Sequence, residues 1–170
     1  MTKKDRVMKT LNHEEPDTVP ITELAIDPIH IENLTQTKLV SDSPLQSEIS
    51  FSDRRGEEKI VATTVLAYQK LGFELIPVEL SAPDGWKTNR NPDGTVTDEW
   101  GRILSYDPNC KLWVPTGGSF TSPDDVAQFH FPDPHDSGRT FPIAATRKKI
   151  GDELALAGFI RDPFAYAWEM

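Results

Sequence analysis

Three polar residues stand where chemistry gathers in strand–helix proteins: Glu23, Glu79 and Arg161. Each closes or directly follows a run of apolar and β-branched residues, TVPITEL, ELIPVEL and LALAGFI. If those runs are parallel strands, the three side chains share the C-terminal edge of a sheet, where such folds collect binding and catalytic groups. There they could bind substrate or orient a proton. The plainer alternative is that they are solvated or paired with one another.

Other candidates are weaker. Asp98-Glu99-Trp100 is the most distinctive local string, and Trp86, Trp100 and Trp113 either face a flat ligand or pack a hairpin down. His130 and His135 bracket Asp133, a set with metal-ligand chemistry, but the segment is proline-rich and lacks a rigid element to fix ligands. We therefore expect no metal site there. His13 and His30, at a helix exit and on a short helix, read as structural or solvated. Cys110 has no neighbouring cation or helix start to activate it and reads as an ordinary thiol. Asp27 and Asp162 each precede a proline and read as helix caps rather than catalysts. Gly117-Gly118-Ser119 reads as a turn, since no strand-then-helix context makes it a phosphate loop.

The elements that must position these groups follow from periodicity and punctuation. Thr2 to Asn12 reads as a helix capped by Thr2, with Val7, Met8 and Leu11 on one face, and Pro16 bars its continuation. Thr18 to Leu24 reads as the first strand, and Asp27-Pro28 opens a second helix, IHIENL. Residues 36–56 read as a long polar loop, and Glu57 to Leu71 as the clearest helix, stopped by Gly72. Glu74 to Leu80 is the second expected strand. Asn91-Pro92-Asp93-Gly94 is a strong turn signal and predicts a hairpin over residues 86–106. A short helix capped by Ser122 precedes a proline-punctuated stretch and a helix from Ile143 to Ile150. Leu154 to Ile160, nearly all apolar, is the third strand, with both faces expected to be buried. Asp162-Pro163 opens a last helix whose Phe164, Ala167 and Trp168 begin an apolar stripe. Strand, Asp-Pro, helix therefore occurs twice, and this alternation implies parallel pairing through right-handed crossovers.

Composition narrows the partners. With 27 acidic against 18 basic residues the chain carries a formal net charge of −9, which argues against nucleic acid and anionic membranes. The basic clusters Lys3, Lys4, Arg6, Lys9 and Arg147, Lys148, Lys149 fall on expected helices and read as solvated faces. The single cysteine excludes an intrachain disulfide and fits a reducing compartment. The N-terminus lacks an apolar signal region, and no apolar run approaches the roughly 18–20 residues needed to cross a bilayer. A soluble, cytoplasmic protein is expected.

At this point four segments resemble one family in order along the chain. KKDRVMKTLNHEEPDTVPI resembles the opening of the uroporphyrinogen decarboxylase and corrinoid methyltransferase family, and DGTVTDEWGRIL resembles the hairpin of its methyltransferase-like branch. FHFPDP is similar to the link that follows, and LALAGFIRDPFAYAWEM to the third barrel strand and its turn. The resemblance implies one domain over residues 1–170, the N-terminal portion of an incomplete TIM (β/α)8 barrel. It would hold the first three parallel strands, their helices and a β-hairpin insertion. A whole barrel takes about 250 residues.

The resemblance also implies function. The decarboxylases carry arginines after the first strand that grip tetrapyrrole carboxylates, whereas PITELAIDPIH holds none. Corrinoid-dependent methyl transfer is therefore the expected activity of the complete protein, with tetrapyrrole decarboxylation the alternative. A third reading is a truncated, inactive or split-barrel half. Glu79 matches the position of the family's catalytic Asp and is the expected catalytic residue; Glu23, Arg161 and Trp100 are the expected substrate-binding residues. The corrinoid enters as a small-molecule or protein-bound substrate. The family's zinc is held by residues of its second half, so no cofactor is expected on this chain alone. Expected partners are the substrate and either a complementary half-barrel chain or self-association through exposed edges.

Overall fold

A computed structural model describes residues 1–39, 54–160 and 162–170. Helix α1 (Lys3–Leu11) starts in a reciprocal capping box: the Thr2 side chain accepts from the Asp5 amide at 3.0 Å, and Asp5 accepts from the Thr2 amide at 3.1 Å. Arg6 fastens this helix to the rest of the fold. Its guanidinium donates to Asp17 at 2.5 Å and to Glu74 at 2.8 Å, on the residue that leads into β1 (Leu75–Glu79). Helix α2 (Pro28–Thr35) begins at Asp27 without a side-chain capping bond, and buries Ile31 and Thr35. It packs against α3 (Arg54–Lys70), where Val61, Val65 and Tyr68 form a buried stripe at helical spacing.

That stripe meets β1, which turns Ile76 and Val78 inward by its two-residue period. Leu154 and Ile150, the last residue of α5 (Phe141–Ile150), complete the core. Strand β6 (Ala155–Phe159) lies parallel to β1, with Leu75 opposite Ala155 and Glu79 opposite Phe159. Helix α6 (Pro163–Glu169) follows, and Asp162 caps it by accepting from the Ala165 amide at 2.9 Å. The expected parallel pairing of the second and third strand-like runs is thus present.

The first expected strand is corrected. Residues 18–24 lie beside β1 but form no ladder. The Glu74 amide donates to the Ile21 carbonyl at 3.1 Å and the Thr22 hydroxyl to the Leu75 carbonyl at 2.7 Å. Pro20 removes a donor, and Val19, Ile21 and Leu24 are 81%, 65% and 56% exposed, so no facing layer holds the segment in register. Nor is β6 buried on both faces, since Gly158 and Ile160 are exposed. The described residues form no closed barrel. They are a mixed α/β fold of one parallel pair and one antiparallel sheet.

The hairpin extends into a four-stranded antiparallel meander: β2 (Asn89–Arg90), β3 (Val96–Thr97), β4 (Arg102–Asp107) and β5 (Leu112–Gly118), in that spatial order. The expected Asn91–Gly94 turn joins β2 and β3, with Gly94 at φ 88°. Beyond it, Gly117 and Gly118 are the end of β5 rather than a turn. A side chain at Gly118 would collide with the backbone of Met170, so glycine lets α6 lie against the sheet. At the other end of the meander Lys111 pairs with Glu32 of α2 at 2.7 Å. Of the expected loop over 36–56, residues 40–53 lie outside the described ones, and residues 54–56 already belong to α3. Among the described residues no helix is long and apolar enough to cross a membrane.

Candidate functional site

A cavity of about 570 Å³ opens where the C-terminal ends of β1 and β6 meet the antiparallel sheet. Five pieces of chain build it. The ends of β1 and β6 supply Glu79, Leu80, Ser81, Phe159 and Ile160, and α6 supplies Pro163, Tyr166 and Ala167, with Met170 capping its end. The β3–β4 turn supplies Glu99 and Trp100. Its shape comes from Asp98, whose carboxylate accepts from the Trp100 and Arg102 amides at 2.9 Å each, and from Gly101 at φ 81°. The fourth piece is a strap around the short helix α4 (Pro123–Gln128), giving Phe120, Val126 and Phe131. The strap packs on itself, with Phe129 edge-on to Phe120 at 4.9 Å and to Phe131 at 5.0 Å.

The polar part of the wall is organised by Arg139, on the 3₁₀ turn Ser137–Thr140. Its side chain is 6% exposed and forms a two-pronged pair with Glu99, at 3.2 Å from Nη1 to Oε1 and 2.7 Å from Nη2 to Oε2. Nε donates to the Asp133 carbonyl at 2.7 Å, and Nη1 also reaches the Ser81 carbonyl at 3.5 Å. In return the Ser81 amide donates to the Arg139 carbonyl at 2.9 Å. The Ser81 hydroxyl donates to Glu57, which is buried on α3. One arginine thus ties the end of β1, the β3–β4 turn and the proline-rich link together.

An aromatic and ionic chain continues from it. The Arg139 guanidinium lies 5.4 Å from the Trp100 ring centroid, and Trp100 lies 5.2 Å from Tyr166. Arg102 stands over the Tyr166 ring at 4.6 Å while pairing with Asp98 at 2.7 Å and Glu169 at 2.9 Å. Burial pushes the Glu99 carboxyl above its ordinary value, with Arg139 pulling the other way. Burial likewise raises the Tyr166 phenol; Arg102 opposes the shift and Glu79 adds to it. Burial works against the charge on Arg102, but Asp98 and Glu169 outweigh it and hold the guanidinium above its usual value.

Comparison with known proteins finds no relative: no family model, curated protein or solved structure matches the chain.

Of the residues singled out in the sequence, Glu79 and Trp100 line the cavity together. Glu23 does not. Its carboxylate accepts from the neighbouring Leu24 amide at 2.9 Å and its carbonyl accepts from the Tyr68 hydroxyl at 2.9 Å, beside the core rather than at the cavity. Arg161 lies outside the described residues. His130 and His135 are exposed; the Asp133 carboxylate accepts from the His135 amide at 2.8 Å, and its carbonyl serves Arg139. Among the described residues no three His, Cys, Asp or Glu side chains gather in a way that could hold a metal ion. Trp113 packs on Tyr106 at 5.4 Å, the plainer of its two readings.

Sequence reasoning missed Arg139, Ser81 and Tyr166. Nothing in DSGRT distinguishes a buried arginine from a solvated one. The one usable signal was the acidic string around Glu99, since a carboxylate drawn under a tryptophan-bearing turn needs a cation.

Proposed function

We propose that this chain is the N-terminal part of a uroporphyrinogen decarboxylase-family protein, and that its cavity is the acceptor side of a corrinoid-dependent methyl transfer. The observation that carries the proposal is the place of the cavity, at the C-terminal ends of parallel strands, with Glu79 and Trp100 both on its wall. Its volume of about 570 Å³ suits a small molecule. In the reaction the acceptor's X–H loses its proton to Glu79, the X–CH₃ bond forms, and the cobalt–carbon bond breaks with its electron pair left on the cobalt of the corrinoid substrate. Trp100 supplies a flat apolar surface beside the transfer path, kept in place by Arg139 and Tyr166.

Tetrapyrrole decarboxylation is the less favoured alternative, because it needs unspent cations for several carboxylates. Arg139, the one cation on the described wall, already serves Glu99, Asp133 and Ser81. The test is calorimetric titration of the chain with methylcobalamin and hydroxocobalamin. Corrinoid binding that weakens at least about ten-fold in Trp100→Ala, which removes the flat surface beside the transfer path, supports the proposal. No binding heat at millimolar corrinoid overturns it.

A second proposal concerns assembly. Strand β6 pairs only with β1 among the described residues, and next to its end Ile160, Phe164 and Trp168 are 67%, 74% and 80% exposed, the last two stacked at 6.3 Å. An open strand edge beside an apolar helix face suits a complementary strand–helix unit from another chain.

A further inference from the structure

We propose that Trp100 and Tyr166 decide what the cavity accepts: the indole N–H and the phenolic O–H bind a carbonyl oxygen on an otherwise apolar ligand. This rests on the cavity being the substrate site but not on the corrinoid assignment. Both residues line the cavity, one from the β3–β4 turn and one from α6, with their rings 5.2 Å apart. Among the described residues neither donor meets an acceptor. Neither is sealed in, because the one buried polar side-chain atom without a partner among those residues is Glu74 Oε2. A wholly apolar occupant would strip water from both donors and put nothing in its place, which is costly for a buried polar group. A carbonyl oxygen offers two lone pairs in exchange.

Both donors are also held in place before a ligand arrives. Arg139 lies 5.4 Å from the Trp100 ring centroid, and Arg102 lies 4.6 Å from that of Tyr166. Arg102 is itself fixed by Asp98 and Glu169, and Asp98 shapes the turn by accepting from the Trp100 amide. Little further ordering is needed on binding, so the two hydrogen bonds are not offset by lost side-chain freedom. Burial raises the Tyr166 phenol above its ordinary value, which keeps the hydroxyl protonated and able to donate across neutral pH.

The frame of the ligand follows from the rest of the wall. Leu80, Phe120, Val126, Phe131 and Ile160 give it a hydrocarbon lining, and Val126 and Phe131 on the strap are 44% and 56% exposed. Helix α4 buries none of its own residues. An apolar ring between strap and α6 covers these side chains and removes them from water.

The test uses tetralone and tetralin, which share a fused-ring carbon frame and differ by one carbonyl oxygen. Each is titrated into the full chain, isotopically labelled in nitrogen, and binding is followed through the indole N–H resonances. The Trp100 resonance is the one missing from Trp100→Phe. Tetralone is expected to bind at least as tightly as tetralin, although a carbonyl without a partner would weaken it in an apolar site. It should move the Trp100 indole proton downfield, as hydrogen bonding does, whereas tetralin should not. Tyr166→Phe keeps the ring over Arg102 and removes only the hydroxyl. It should weaken tetralone about three- to ten-fold and tetralin by less than about two-fold. Four results overturn the proposal: tetralone binding more weakly than tetralin, an indole proton that responds alike to both, equal losses of both in Tyr166→Phe, or no binding of either up to saturation. The wild-type titrations decide the matter even where Tyr166→Phe fails to fold. A tetralone preference without cobalamin binding leaves the two donors standing and removes corrinoid methyl transfer. Cobalamin binding with a tetralin preference does the reverse.

Discussion

Replacing Arg139 by methionine isolates the energetics of the site, because the substitution keeps most of the side-chain volume and removes the charge. The Arg139 and Glu99 side chains are 6% and 11% exposed, so this is a buried pair rather than a surface one. Removing one member of such a pair leaves an uncompensated charge and costs about 3–5 kcal/mol, against about 0–1 kcal/mol for an exposed pair. At about 2–4 °C per kcal/mol for a chain of this size, the expected fall in melting temperature is on the order of 10 °C.

The cost depends on pH in a definite direction. Burial already raises the Glu99 pKa above its ordinary 4.5, and Arg139 is the main group holding it down, so the variant raises it further. A carboxyl whose folded pKa is raised binds protons more readily in the folded state, so its penalty is complete above the folded pKa and fades as pH falls toward 4.5. Urea unfolding of both proteins at a series of pH values, read as a difference at each, isolates Glu99 from carboxylates common to both. The double variant Arg139→Met with Glu99→Leu removes both charges and should recover at least about 1.5 kcal/mol of the single-variant loss. A loss below about 1 kcal/mol, or single effects that add within about 0.5 kcal/mol, would refute the account of a buried clamp.

Two other substitutions probe how the parts meet. Gly118→Ala places a Cβ against the Met170 backbone and should push α6 off β5, costing about 1–3 kcal/mol and releasing Tyr166 from Arg102. Unchanged stability with unchanged tyrosine fluorescence would show that α6 does not dock there. Phe164→Glu with Trp168→Glu should leave the melting temperature within about 2 °C, since both side chains are largely exposed, while abolishing any concentration-dependent association seen by light scattering. Association that survives the double change would move the contact away from the β6 edge.

Much of the local structure was legible in the sequence because it is dictated by neighbours a few residues apart. The Thr2–Asp5 and Ser122–Asp125 boxes, the stop at Gly72, the turn at Asn91–Gly94 and the Asp162 cap depend on short-range hydrogen bonds and backbone sterics. Asp27 had the same pattern as Asp162 and starts its helix without the bond, so proline at the first helical position was the sounder of the two signals. The apolar stripe of α3 and the alternation of β1 likewise mark the inward faces before any fold is known.

Longer-range choices were not legible. Residues 18–24 have strand composition, yet strands are made by partners, and a single backbone bond to Glu74 with no facing layer leaves them without a ladder. Gly117-Gly118-Ser119 reads as a turn from its glycines; pairing with β4 across an irregularity at Ile103–Leu104 makes both glycines the end of a strand. The site divides in the same way. Glu79 and Trp100 could be nominated from residue type and position along the chain. Arg139, from 58 residues beyond Ser81 and 40 beyond Glu99, becomes part of the wall only when three distant turns converge. By itself the sequence determined which segments turn, cap and bury. The tertiary structure alone decided which charges share a cavity, because burial and pairing depend on what surrounds a group in space rather than on what precedes it in the chain.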